Sequence, residues 1–171
     1  PPAAGYGLGA PVVVAAAMLT PFSLASFAAS RFAARAARRT SAEFVVAASY
    51  VLLIASMVLF LVARDSYPGL VAVMAVSGLG VGSAYAVNPL QITAGVPASE
   101  TGSAISFYQL VRTVAYAIAS ALSATVLVLS TPAGGRFPAD AGYSVAAGIC
   151  IAVLVAALAV SIVFVMRWPV L

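Results

Sequence analysis

The chain has 171 residues, of which 64% are hydrophobic and only 7% are charged, and its eight basic and four acidic side chains leave a net charge of +4. Soluble domains carry about 45–50% apolar and about 25% charged residues, so this composition lacks the polar surface that water requires. We therefore predict a polytopic membrane protein and no nucleic-acid partner, because a nucleic-acid face needs basic residues spread over a wetted surface.

The residue inventory also narrows the chemistry. There is no histidine, and the single cysteine, Cys150, lies in an apolar run. A disulfide, a zinc site and a serine–histidine pair therefore cannot be built from these residues. We predict no enzymatic activity, no metal site and no cofactor. The chain opens Pro-Pro-Ala-Ala, without a methionine or a basic stretch, so we expect no signal peptide and interpret the chain as a piece of a longer protein.

Five apolar stretches are long enough to cross a hydrocarbon core about 30 Å thick, which takes roughly 20 helical residues. Their predicted bounds are 8–29, 44–63, 70–94, 103–129 and 143–166. Continuous apolar runs, without alternation, favour helices over a membrane β-barrel. Alanine is abundant in all five, and small residues let membrane helices approach closely. The predicted fold is all-α: a single membrane domain over residues 1–171, in which five transmembrane helices form a bundle.

Half of the arginines lie in one short segment, 30–39, between the first two predicted spans. We interpret this segment as a connector, and its positive charge predicts that it lies in the cytoplasm. Strict alternation then puts five arginines inside and two outside. The inner ones are Arg31, Arg35, Arg38, Arg39 and Arg167, and the outer ones are Arg64 and Arg136. The expected topology has Pro1 outside and Leu171 inside, in the plasma or inner membrane of the cell.

The arginine segment resembles a signature of the major facilitator superfamily of transporters. The family's inner-loop signature, Gly-x3-Asp-Arg-x-Gly-Arg-Arg, recurs in degenerate form in the second half of these proteins. Laid on residues 30–39, it is matched by Arg35, Arg38 and Arg39. The chain departs from it at three positions, which are Ser30, Ala34 and Ala37.

Two longer stretches resemble drug exporters of the same superfamily. The helix before that loop is similar to residues 5–24, GYGLGAPVVVAAAMLTPFSL. The next-to-last helix pair is similar to residues 78–121, in which a VPxxxxG loop precedes a helix that carries Gln-x-x-Arg. The resemblance implies the last five helices of a twelve- or fourteen-helix secondary transporter, forming most of its C-terminal half. It implies proton-linked efflux of drug-like or amphipathic molecules by alternating access. The implied partners are the lipid bilayer, the missing N-terminal half and a small-molecule substrate.

Arg112 is the strongest candidate for a functional residue. Its predicted helix starts near Gly102, which puts the side chain about 15 Å deep, near the bilayer midplane. An arginine there costs at least about 2.5–3.5 kcal/mol, so it should face the bundle interior or a water-filled cavity. Tyr108, Gln109 and Tyr116 stand at i−4, i−3 and i+4 and extend the polar stripe. The functional interpretation is a cavity wall that contacts substrate; the structural one is an arginine that bonds backbone carbonyls between helices.

Asn88 and Gln91 are further cavity candidates, late in the third span. Their amides either bind a ligand or satisfy the carbonyls that Pro89 leaves without a donor. Gly78, Gly80 and Gly82 predict close helix packing, since no strand precedes them as in a phosphate-binding loop. Pro21, inside the first span, predicts a kink.

The acidic residues flank the predicted spans, and none lies inside one: Glu43, Asp65, Glu100 and Asp140. Proton antiport usually needs an intramembrane group that titrates, so we expect that group in the missing part of the transporter. Two alternatives stay open. A permease subunit of an ATP-driven transporter needs a longer cytoplasmic coupling segment than these short loops provide, and a non-transporting membrane scaffold has no need of Arg112.

Overall fold

The computed structural model describes residues 7–135 and 137–167, with the side chains through residue 163. Within these residues the chain is helical and contains no strand, as predicted. The helices are α1 (Val12–Ala17), α2 (Leu19–Arg39), α3 (Ala42–Ala63), α4 (Tyr67–Ala94), α5 (Thr101–Leu129) and α6 (Asp140–Arg167), with a short 3₁₀ turn at Ala98–Glu100 before α5.

Five helical segments are long and apolar enough to cross a membrane, with α1 and α2 together forming the first. The others are α3, α4, α5 with its preceding turn, and α6. Most of their surface is apolar and exposed, which a hydrocarbon solvent accepts and water does not. Length and composition together indicate a membrane protein.

The first of these segments is broken near its start, where Pro21 predicts a kink. Helix α1 ends at Ala17, and α2 begins at Leu19 after a single intervening residue, Met18. Proline has no N–H for the carbonyl four residues earlier, here that of Ala17, and its ring crowds that carbonyl. The interruption therefore falls within one turn of Pro21.

The arginine segment is not the connector that we predicted. Residues 30–39 form the last part of α2, and only Thr40 and Ser41 separate this helix from α3. Alanine and arginine are both strong helix formers, and no glycine or proline lies between Pro21 and Thr40 to stop the helix. Thr40 ends it by donating its hydroxyl to the Ala36 carbonyl (2.9 Å), and the Ser41 hydroxyl accepts from the Phe44 N–H (3.2 Å) as the N-cap of α3.

The chain divides into two compact units, each described by itself. The first comprises Pro1–Asn88 and Ala147–Leu171, and the second comprises Pro89–Ala146. The dividing points fall within α4 and α6, so each of these helices contributes to both units.

Glycines pack α4 against two other helices of the first unit. A Cβ at Gly78 would overlap the Phe22 carbonyl oxygen of α2, and one at Gly82 would overlap that of Ser26. A Cβ at Gly80 would instead meet Leu53 Cγ of α3 at 2.8 Å. The predicted role of these glycines in close helix packing is confirmed.

The contacts also give the helix directions in this unit. Gly78 lies opposite Phe22, and Gly82, four residues later, lies opposite Ser26, four residues later. Helices α2 and α4 are therefore parallel. Three valines, which are Val45 and Val46 of α3 and Val87 of α4, form a buried cluster with Ala33 near the end of α2. Since the start of α3 meets the ends of α2 and α4, α3 is antiparallel to both, as expected for three successive membrane crossings.

In the second unit, the turn between α5 and α6 is closed by short-range contacts. The Ala139 N–H donates to the Ser130 carbonyl (2.9 Å), and the Ser130 hydroxyl donates to the Val126 carbonyl (2.6 Å). Gly142 in the first turn of α6 is buried against Ser130, since an added Cβ would come within 2.6 Å of the serine Cβ. The absence of a side chain at Gly142 allows α6 to start directly beside the end of α5.

Candidate functional site

The candidate site lies on α5, the longest of the apolar helices in the part of the chain that the structure describes. Arg112 follows the first residue of the helix, Thr101, by three turns, or about 17 Å at a rise of about 1.5 Å per residue. Its depth along the helix is close to the predicted one. The guanidinium therefore sits in the middle third of a segment whose other side chains are mostly apolar.

Two tyrosine rings bracket the Arg112 guanidinium. Its Cζ lies 5.7 Å from the centroid of the Tyr108 ring and 5.9 Å from that of the Tyr116 ring. These tyrosines are one turn before and one turn after the arginine, so all three side chains share one face of α5. Both distances fall within the range of a cation–π interaction, which is stronger where water is excluded.

The surroundings of this cluster differ from one end to the other. Tyr108 and Arg112 are half-buried, and the Nε atom of Arg112 is shielded from solvent. Tyr116 is 51% exposed, and Gln109 is also exposed. The structure thus brings Tyr108, Arg112 and Tyr116 together as the periodicity predicts, and leaves a polar surface open beside them.

The two candidate amides lie on either side of the division of α4. Asn88 is the last residue of the first unit in this helix, and Gln91 belongs to the second. Both are half-buried, and α4 continues through Pro89 to Ala94. Neither amide side chain forms a hydrogen bond to another residue that the structure describes. A role in satisfying the carbonyls near Pro89 is therefore not seen among the described residues.

The three arginines of the predicted signature are exposed on the last part of α2: Arg35, Arg38 and Arg39. Arg35 donates from Nη1 to the Arg31 carbonyl (3.4 Å), and Arg38 and Arg39 lie in the last turn. Cations in that turn interact favourably with the helix dipole. No carboxylate of the described residues lies within ion-pair distance of these side chains.

Sequence reasoning missed a second feature, an apolar groove in the first unit. It has a volume of about 440 Å³ and runs along α2, α3 and α4. Small side chains such as Ala28, Ala36 and Ala48 line it, together with the exposed rings of Phe32 and Phe44. The alanines on α2 recur at about helical spacing, but this signal is hard to separate from an alanine-rich background.

Neither the grouping of possible metal ligands nor similarity to known proteins assigns a function to the chain. Among the described residues, no three His, Cys, Asp or Glu side chains are grouped as a metal site requires. Comparison of the chain with protein-family models, with curated proteins and with solved structures gave no match.

Proposed function

We propose that the protein takes part in transport of small molecules across a membrane, as the C-terminal portion of a secondary transporter of the major facilitator type. The observation that carries the proposal is the Arg112 guanidinium held between two tyrosine rings in the middle third of an apolar helix. A cation at that depth is costly, so its presence there favours a role in a polar cavity.

The chemistry of the cluster suggests the kind of molecule that it contacts. Arginine offers five N–H donors in a planar fork, suited to carboxylates, phosphates and other polar acceptors. Tyr108 and Tyr116 add flat apolar faces within one helical turn of that fork. A molecule with a polar acceptor beside an aromatic or apolar body fits both parts, which agrees with the amphipathic substrates that the family resemblance implies.

The exposed polar face of α5 favours additional helices beside it. No residue of α5 is buried in the structure, and Gln109 presents its polar amide on the exposed surface of the helix. Hydrocarbon cannot hydrogen-bond with this amide, whereas another helix or a water-filled cavity can. In the proposed transporter, the N-terminal half supplies that cover, and the two halves rock around a site at the midplane.

Proton coupling would then depend on groups outside these helix interiors. In the described part of the chain, the acids lie at helix ends: Glu43 and Asp140 in the first turns of α3 and α6, Asp65 between α3 and α4, and Glu100 directly before α5. The proposal therefore assigns the titrating group to the other half of the transporter.

The direct test is flux of amphipathic dyes in cells that produce the native protein, compared with cells that lack its gene. Anionic and cationic dyes are run in parallel, with and without an uncoupler that collapses the proton gradient. Faster efflux that the uncoupler abolishes supports the proposal. Efflux that follows ATP level and ignores the gradient favours the ATP-driven permease, and no difference between the two cell types favours the scaffold.

We predict the sidedness of the loops from the arginine asymmetry. In a Cys150→Ala background, Ala133→Cys should react with an impermeant maleimide in intact cells, and Ser99→Cys only after lysis. Both native residues are exposed in loop or turn positions, so both new thiols are accessible to reagent on their own side. Labelling of Ser99→Cys in intact cells would reverse the topology and remove one support of the transporter proposal.

We also predict that the 171-residue chain alone, in liposomes, carries no saturable dye flux. A midplane site needs walls from both halves, and α5 has no cover on its polar face within this structure. The assay is dye release at several substrate concentrations against protein-free liposomes. Saturable release by the purified chain would show that the second half is not required.

A further inference from the structure

The apolar groove of the first unit and the arginines of α2 lie side by side, and no step of the proposed transport uses either. We propose that this groove binds one acyl chain of an anionic phospholipid, whose phosphate is held by Arg35 and Arg39. This proposal requires the membrane placement of the helices but does not require transport. The lipid proposal and the transport proposal can therefore be tested independently.

The groove has the shape of a site for an extended apolar chain. On α2 it extends from Ala28 to Thr40, about 18 Å at about 1.5 Å per residue. One leaflet of a bilayer has about half of the roughly 30 Å hydrocarbon thickness, or about 15 Å. The floor consists of small side chains, and the rings of Phe32 and Phe44, 69% and 65% exposed, stand along it. A single acyl chain matches this length and this apolar lining.

Two of the three hydroxyl groups that line the groove are already engaged. The Ser49 hydroxyl donates to the Val45 carbonyl (2.7 Å), and the Thr40 hydroxyl donates to the Ala36 carbonyl (2.9 Å). The inner surface of the groove therefore presents few free donors to a polar occupant. It accepts hydrocarbon at little desolvation cost.

Charge is concentrated at the end of the groove that Thr40 marks. Arg35 and Arg39 follow two lining residues, Ala28 and Phe32, by seven residues each, and so lie about 20° from them around the helix. Arg39 thus lies on the groove face of α2, and Arg35 lies at its edge. Both are exposed, and no carboxylate among the described residues forms an ion pair with either. Basic pockets beside membrane helices recognise anionic headgroups in this way.

The same helix supplies a matched control. Arg38 is adjacent in sequence to Arg39, is equally exposed, and shares the last turn of α2. At about 100° per residue, however, Arg39 lies about 20° from Phe32 around the helix, whereas Arg38 lies about 120° away. Arg38→Gln and Arg39→Gln thus remove the same charge at the same depth, and only the second removes it beside the groove.

The test is a lipid titration of the purified 171-residue chain in a neutral detergent, with melting temperature as the readout. Dioleoyl-phosphatidylglycerol should raise the melting temperature at concentrations where dioleoyl-phosphatidylcholine and inorganic phosphate do not. Arg39→Gln should weaken the apparent affinity for phosphatidylglycerol about fivefold, as expected for one lost headgroup contact. Arg38→Gln should leave the affinity within about twofold of the unmodified chain.

A second variant tests the acyl chain. Ala36→Leu fills the groove floor with a larger apolar side chain and should abolish the preference for phosphatidylglycerol while the helix content by circular dichroism is unchanged. If that variant does not fold, the comparison of Arg38→Gln with Arg39→Gln decides by itself. Equal losses in these two variants would mean general surface attraction, and an equal effect of inorganic phosphate would mean an anion site without an acyl chain. No response to phosphatidylglycerol would mean that a partner helix, and not a lipid, covers the groove. Equal losses in the two arginine variants, an equal effect of inorganic phosphate, and no response to phosphatidylglycerol would each overturn the proposal.

Discussion

Gly82→Ala should be the most destabilising single-methyl change among the glycines that pack α4 against α2 and α3. The new Cβ would overlap the Ser26 carbonyl oxygen and come within 2.7 Å of its Cα, and both are backbone atoms that no rotamer change can move. Helices α2 and α4 must then separate, which loses packing along their length. We expect a loss of about 1–3 kcal/mol in the free energy of unfolding, measured in detergent by denaturant titration.

The other glycines provide graded controls. Gly80→Ala meets the side chain of Leu53, which can rotate away, so its cost should be smaller. Gly148→Ala in α6 meets nothing within 4 Å and should be neutral or slightly stabilising, because alanine is the better helix former. If Gly148→Ala destabilises the protein as much as Gly82→Ala, the cost of Gly82→Ala does not come from the close packing of α2 against α4.

Sequence reasoning was most informative where a local rule decides the outcome. Five helices long and apolar enough to cross a membrane followed from run length and composition, and the break near Pro21 followed from the missing N–H. The glycine packing in α4 followed because a membrane interior offers few other reasons for closely spaced glycines. The cluster around Arg112 followed from the helical period alone, since i−4 and i+4 neighbours must share a face.

The arginine segment shows where the same reasoning failed. A cluster of charge between two apolar runs suggested a connector, but residues 30–39 continue α2. Charge decides where a segment lies relative to a membrane, whereas alanine and arginine propensity decides that it stays helical. The two properties are independent, and the prediction treated them as one.

Which helix packs against which could also not be predicted from the sequence. In water, polar residues mark the outer face of a helix, but here the inner and outer faces are equally apolar. The buried positions of α3 include Ser49 and Ser56, while Val51 and Val58 are 53% and 47% exposed. Burial in this protein follows side-chain size and contact geometry, so the groove beside α2 emerges only from the three-dimensional structure.

Arg112→Ala should lower transport by the native protein at least tenfold while leaving it folded and inserted. Loss of a hydrogen bond to a charged group costs about 1.5–3 kcal/mol, or roughly a tenfold to 100-fold lower flux. Arg112→Lys should restore only part of the flux, because an ammonium keeps the charge but not the planar fork. Arg64→Ala is the matched control, since Arg64 also contacts an aromatic ring, that of Phe60 at 5.8 Å, but lies at the end of α3.

A purely structural Arg112 gives a different set of results. Its removal would strand the groups that it contacts and lower the melting temperature, and flux per inserted molecule would be unchanged. Tyr116→Phe helps to separate the two cases, because it keeps the ring beside the guanidinium and removes only the hydroxyl. In the cavity account, Tyr116→Phe changes substrate affinity and leaves stability within about 1 kcal/mol, a shift of about 2–4 °C.

The most direct measurement of the central claim is dye flux per molecule of inserted protein, taken together with melting temperature, for the native protein and its Arg112→Ala variant. The account predicts at least a tenfold lower flux per molecule and a melting temperature within about 2–4 °C of the native value. An Arg112→Ala protein that melts well below that range and keeps the native flux per molecule would contradict it, and would make Arg112 a structural residue of the bundle.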